Sequence, residues 1–321
     1  MHSNDENARP FRDYSSAQLW SSRMPSPPRI VVPPPGLNTQ GLPDLQVVQN
    51  ASPNFEASGF TNTEFLQTVT YNNFLKQNAM LEWKYEDRRK AQQVLPFLYL
   101  GPSSAARDEN FLKEEGITMA LAVRNTSSAQ AKLLWSKAGE ALDLEVKAID
   151  VAGEMELIAA FPRGIEAINA HLSQVYLLSE QGRAPIIGGS VRNLGKVLVF
   201  CESGNERSAS LVAAYIMAMY SKDLITTLQI VNAQRFSVAF DDDLRNLLLT
   251  YQDIVKAKRD VVLHNTESDT ALRSMNGKVK RSYDEADVVV DNEVEMTADA
   301  IVNLTNGNGM EKREGLAPFQ G

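Results

Sequence analysis

One cysteine in 321 residues, Cys201, excludes an intrachain disulfide and suits a reducing compartment. The three histidines, His2, His171 and His264, stand far apart, and no Cys/His cluster has the spacing of a zinc site. His171 falls in a helical stretch and reads as a packing or surface residue rather than a catalytic one. Neither a metal nor a cofactor is expected. No run of 18 apolar residues exists, so no membrane span is expected. The amino terminus has no apolar stretch after a basic start, so no signal peptide is expected either. Positive charge is in deficit: 32 Lys and Arg face 40 Asp and Glu, for a net charge of −8. That balance argues against a nucleic-acid partner. These absences together point to a cytoplasmic or nuclear protein.

Proline is unevenly spread, with nine of the fourteen in the first 53 positions. Pro25-Ser26-Pro27-Pro28 and Pro33-Pro34-Pro35 favour polyproline II, and residues 1–59 are expected to be disordered. Residues 60–92 read as a partly helical lead-in that packs on the domain, with Phe65, Val69, Leu75, Leu81 and Trp83 loosely spaced. From 262 to 321 the chain turns to Asn, Asp, Glu and Gly and reads as a disordered tail. Lys278-Val279-Lys280-Arg281 in that tail reads equally as a nuclear import signal or a solvated basic patch. Ser26-Pro27 has the pattern of a proline-directed phosphorylation site, as any disordered Ser-Pro does.

Between these flanks, residues 80–260 read as a single α/β domain. Strands are predicted over Val94–Leu100, Met119–Val123, Glu145–Ile149 and Lys196–Phe200. Helices are predicted over Phe161–Leu178, Ser208–Tyr220, Ile225–Ala233 and Asp242–Lys258. The expected fold is a central, mainly parallel sheet with helices on both faces. Its ligand site is expected at the carboxyl edge of the strand ending at Phe200.

That edge holds the most informative stretch. Val197-Leu198-Val199-Phe200 is followed by Cys201-Glu202-Ser203-Gly204-Asn205-Glu206-Arg207-Ser208 and then by an apolar helix. A strand, a short loop with a glycine and a helix N-terminus form an anion cradle of backbone N–H groups. There the dipole and the Arg207 guanidinium favour a thiolate on Cys201, which makes it a nucleophile. Arg207 offers a planar fork for two phosphoryl oxygens, and the Ser208 hydroxyl can donate to the sulfur. Residues 202–206 form the phosphate-binding loop. The bland alternative is a buried structural cysteine.

Cys-x-x-Gly-x-x-Arg-Ser resembles the phosphate loop of the cysteine-based dual-specificity protein phosphatases. Tyr215-Ile216-Met217, Val231-Asn232-Ala233-Gln234-Arg235-Phe236 and Leu247-Leu248-Leu249-Thr250-Tyr251 resemble later helices of that family. Trp83-Lys84-Tyr85-Glu86-Asp87-Arg88-Arg89, then Leu95-Pro96-Phe97-Leu98-Tyr99-Leu100-Gly101-Pro102, resemble its serine/threonine/tyrosine-interacting branch, best known as pseudophosphatases. Lys278–Glu285 resembles the tail of that branch. Three departures stand out. Animal members of the branch have glycine at the position of Cys201. Active members of the wider family usually have histidine at the position of Phe200. Glu202 and Glu206 add negative charge to an anion-binding loop, slowing anionic substrates if they face outward and raising the thiolate pKa if they face in.

The resemblance implies a general acid after the third predicted strand, and Asp150 falls at that position. Alternatively Asp150 only turns the chain; Glu154 and Glu156 are fallback acids. Asp150 stands 51 residues before Cys201, and the excess over the family's usual spacing lies in a surface insertion, Ser179–Leu194. Asp241-Asp242-Asp243 reads first as a helix N-terminus and only secondarily as part of a site. Two functions follow. One is a weakly active protein-tyrosine/dual-specificity phosphatase that works through a phosphocysteine. The other is a binding module that sequesters phosphorylated proteins, MAP kinases among them. Phosphoinositide and RNA 5′-phosphate substrates are a third option, disfavoured by acids where relatives carry basic residues.

Overall fold

The computed structural model describes residues 29–39, 41, 43–45, 58–69, 83–129, 136–187, 190–191 and 194–276. Pro96 divides what reads in the sequence as one strand. Residues 92–102 form a hairpin of β1 (Gln92–Leu95) and β2 (Leu98–Pro102), paired antiparallel with Gln92 opposite Leu100. Proline has no N–H to give to a ladder and fixes its own φ, so the chain turns there. Periodicity hid the turn because Val94, Leu95, Phe97, Leu98 and Leu100 are all buried.

From β2 the sheet continues through parallel neighbours in the order β1-β2-β7-β3-β4. These are β3 (Met119–Asn125), β4 (Glu145–Val151) and β7 (Val197–Cys201). A separate small hairpin, β5 (Ile186–Ile187) with β6 (Ser190–Val191), lies within the insertion expected to be only a loop. The fold is the expected one: a mainly parallel sheet covered on both faces. Such strands need continuous apolar runs, and every residue of β7 is buried.

Among the described residues the α-helices run as α1 (Glu109–Glu115), α2 (Thr126–Ala129), α3 (Ser136–Ala141) and α4 (Leu157–Glu180). Then follow α5 (Arg207–Tyr220), α6 (Leu224–Gln234) and α7 (Asp242–Asn276). Strand alternation sorts the core into two. Leu121, Val123, Ile149, Val151, Val197 and Val199 face the apolar sides of α4 to α7. Tyr99, Ala120, Ala122, Leu198 and Phe200 face α1 and α3, where Leu112 and Ala138 meet them.

Two flanking expectations change. Helix α7 continues to Asn276, past residue 262 where a disordered tail was expected. No Gly or Pro occurs between Gly204 and Gly277, so polarity alone does not end that helix. Residues 29–35 of the proline-rich segment also dock on the domain. Ile30 and Val32 pack on the larger core. The Arg245 and Gln229 side chains donate to the carbonyls of Ile30 (3.0 Å) and Pro33 (2.8 Å). In the lead-in, Phe65 and Leu66 are buried on the 3₁₀ turn Glu64–Gln67. The basic stretch at 278–281, the tail similarity, Ser26-Pro27 and His2 lie outside the described residues. No helix among the described residues is long and apolar enough to cross a membrane.

Candidate active site

Strand β7 ends at Cys201, and α5 begins six residues later at Arg207. The intervening loop must curl back over β2, and Gly204 permits it. Its φ is +74°, and a Cβ there would lie 2.4 Å from the carbonyl carbon of Gly101. Only glycine satisfies both the left-handed backbone and the close approach. The Gly204 N–H then donates to Cys201 Sγ at 3.2 Å, and Ser208 Oγ, one residue into α5, donates to it at 3.1 Å. Cys201 is 3 % exposed and Ser208 fully buried. Burial pushes the thiol pKa up. The Ser208 hydroxyl and the amides of Ser208, Gly204 and Glu206 outweigh it, and the pKa falls below the ordinary thiol value.

The structure thus brings Gly204 and Ser208 onto the Cys201 sulfur, while Arg207 opens α5 and its charge acts on Glu154. Glu202 and Glu206 are exposed, so their charge acts on approaching ligands. Ser203 is also exposed, and its hydroxyl accepts from Asn205 N. Asn205 ties the loop to the segment after α6: its carbonyl accepts from Ala239 N (3.0 Å) and its Oδ1 from Ser237 Oγ (3.0 Å). Arg235, given no role from the sequence, is buried beneath the loop and donates to the carbonyls of Ser203 and Gly204. Its signals were a lone cation following a helix without charge, Leu224–Gln234, and its place in the segment Val231–Phe236 that resembles a family helix.

Asp150 is not brought to Cys201. Its carboxylate is held in two bonds by Arg124, Oδ1 to Nε at 2.6 Å and Oδ2 to Nη2 at 2.8 Å. Arg124 and Asp150 are register partners on β3 and β4. Their flanking residues Val123, Ile149 and Val151 face α4 and α5, so Asp150 points to the other side of the sheet. The sulfur of Cys201, bonded to Ser208 of α5, lies on the α5 side. The acid nearer the loop is Glu154, on the 3₁₀ turn Glu154–Glu156 after β4. Its pKa is raised, first by partial desolvation and then by Asp241, Glu206 and Asp243, against the pull of Arg207. Glu156 is occupied in closing that turn, accepting from Ala152 N at 2.7 Å. Asp241 caps α7, accepting from Leu244 N at 2.8 Å, as its position suggested.

His171 lies in α4, buried, bonded to Thr118 and Glu145 at the start of the strands and away from the loop. Among the described residues no three His, Cys, Asp or Glu side chains are grouped to hold a metal ion.

A parallel sheet whose strand delivers a low-pKa thiol into a glycine loop, with an arginine opening the next helix, defines the cysteine-phosphatase class of α/β domain. Residues 98–254 match the family described as "Dual specificity phosphatase, catalytic domain". The mouse serine/threonine/tyrosine-interacting protein is 30% identical over 213 residues, 64% of this chain and 86% of that one. A probable dual specificity protein phosphatase of Dictyostelium discoideum is 26% identical over 172 residues, 54% of this chain and 68% of that one. The crystal structure of the human tyrosine phosphatase-like serine/threonine/tyrosine-interacting protein is 24% identical over 52% of this chain and 97% of that one, with a TM-score of 0.38. The chain belongs to the dual specificity phosphatase family and is a relative of its serine/threonine/tyrosine-interacting members.

Proposed function

We propose that the domain hydrolyses phosphate monoesters on proteins, phosphotyrosine foremost and phosphoserine or phosphothreonine besides, through a phosphocysteine on Cys201. The observation that supports this best is the setting of the thiol. It is buried, accepts bonds from Gly204 N and Ser208 Oγ, and has a pKa below the ordinary thiol value. In the first step the thiolate attacks phosphorus, and an S–P bond forms as the ester P–O bond breaks. Loop amides and the Arg207 fork hold the equatorial oxygens. The leaving oxygen takes its proton from Glu154, the carboxyl with the raised pKa on the neighbouring turn. In the second step water attacks phosphorus and gives a proton to the Glu154 carboxylate. The S–P bond then breaks to release inorganic phosphate, and the Ser208 hydroxyl steadies the departing thiolate. A thiolate nucleophile stays reduced in cytoplasm or nucleus, and the activity is assigned there.

One observation favours the second reading, a phosphoprotein-binding module. Exposed Glu202 and Glu206 stand at the loop, with Asp241 and Asp243 in the field of Glu154. This negative potential slows anionic substrates. Hydrolysis of a small aryl phosphate between pH 5 and 8 by wild type and Cys201→Ser separates the two. Turnover by wild type alone supports the enzyme. Phosphopeptide binding by calorimetry without turnover supports the module, whose partners would be phosphorylated proteins, MAP kinases as one candidate class.

A further inference from the structure

Arg235, which follows α6, is the one Lys, Arg, Asp or Glu in the buried class among the described residues. A buried guanidinium persists only when its five N–H groups find acceptors, and here all do. Nε donates to the Gly204 carbonyl at 3.0 Å. Nη2 donates to the Ser203 carbonyl at 3.1 Å, to Asn205 Oδ1 at 3.2 Å and to the Arg88 carbonyl at 3.0 Å. Nη1 donates to the Lys90 carbonyl at 2.8 Å and to Gln92 Oε1. Three acceptors thus belong to the loop around Cys201 and three to the segment entering β1.

The Ser203–Gly204 peptide gives this clamp its meaning. In a trans peptide the C=O and N–H point in opposite directions. The carbonyl of Ser203 is held by Arg235, and the N–H of the same peptide, on Gly204, donates to Cys201 Sγ. Without a donor behind the loop, that peptide is free to rotate and present its carbonyl oxygen to the thiolate. The neighbouring Phe200 ring has no hydrogen to donate in that role. We propose that Arg235 is the positioning residue of this site, turning the loop amides inward toward the sulfur and toward a bound oxyanion. The proposal rests on reading the loop as a phosphate-binding site.

Electrostatics agree. Burial lowers the Arg235 pKa to about 10, with the Cys201 thiolate pulling it back up, so the side chain is still a cation at neutral pH. The other charges about the loop are Arg207, Glu202, Glu206 and Glu154, with Asp241 and Asp243 from the start of α7.

Arg235→Gln and Arg235→Lys, made in the full chain, test this with readouts that need no turnover. Tungstate affinity is measured by calorimetry. The alkylation rate of Cys201 is followed against pH, a clean signal because the chain has one cysteine. Arg235→Gln should weaken tungstate at least ~10-fold and raise the alkylation midpoint by about 1 pH unit. Arg235→Lys keeps the charge without the fork, so it should recover much of the midpoint but little of the affinity. A native melting temperature with unchanged affinity and midpoint in Arg235→Gln would overturn the proposal. If that variant fails to fold, Arg235→Lys decides, and wild-type tungstate affinity in it overturns the proposal equally. A wild type that binds tungstate with a low midpoint yet hydrolyses nothing refutes the enzyme reading and leaves this one standing.

Discussion

At the carboxyl end of the sheet, β7 delivers Cys201 into a loop of inward amides. At the opposite end, buried Thr118 and His171 form a second polar chain with half-buried Glu145. His171 Nε2 lies 2.7 Å from Thr118 Oγ1, and its Nδ1 pairs with Glu145 Oε2. On paper the second is a hydroxyl nucleophile, a base and an orienting carboxylate. Yet Thr118 is 1 % exposed, donates to the Lys196 carbonyl at 2.9 Å and accepts from Lys196 N at 2.9 Å. Its bonding capacity is spent on joining β3 to the start of β7. The Cys201 sulfur instead gathers donors: Gly204 N and Ser208 Oγ bond it, and the amides of Ser208 and Glu206 also favour its ionised form. Donors that lower the pKa of a nucleophile separate a reactive site from a structural pin, more than the identity of a triad does.

The sharpest way to break this contrast is to remove each nucleophile in turn. Cys201→Ser should cut aryl phosphate turnover by ~10⁴-fold or more with an unchanged melting temperature. Thr118→Val should leave turnover intact and lower stability. Glu154→Gln comes next. Substrates with poor leaving groups should slow by ~10²-fold, activated aryl phosphates much less. Because this carboxyl must be protonated to act, the fall in rate as pH rises through its raised pKa should vanish in the variant.

At the other end, His171→Ala removes the shared partner of Thr118 and Glu145, leaving Glu145 only Lys147, and should cost about 2 kcal/mol in chemical denaturation without changing kcat. A smaller signature lies in acid. The His171 hydrogen bond holds the Glu145 carboxyl down at about 2, helped by Lys147 and opposed by burial. The resulting stability is complete above about pH 4.5 and lost as pH falls toward 2. His171→Ala should flatten that part of the acid-unfolding curve. Smallest of all, Asp150→Asn should change turnover less than about twofold, since its carboxylate is engaged with Arg124 across the sheet from the sulfur. A loss of ~10²-fold there would restore Asp150 as the acid.

What the sequence disclosed was local. Cys201 to Ser208 is one contiguous run, and its flanks announce a strand and a helix by composition alone. Asp150 and Glu154 lie four residues apart, but the pleat decides which side of the sheet a strand residue sees. Spacing from a motif carries no such parity. Arg235 reaches partners 30 to 147 residues away, and nothing near it in the chain advertises them. The segment around Pro33 was legible as extended backbone, yet its docking rests on Ile30, Val32 and two side chains of distant helices. Composition describes a segment's own core and is silent about a neighbour's.

Cys201 has no second cysteine anywhere in the chain. A thiolate is the form that peroxide attacks, giving a sulfenic acid, and a nearby thiol normally traps that species as a disulfide before further oxidation destroys it. Here no such partner exists within one molecule. Protection falls to burial, with 3 % of the residue exposed, and repair to a thiol carried in from outside such as glutathione. The same enclosure that tunes the sulfur for a phosphoryl group thereby rations its access to oxidants.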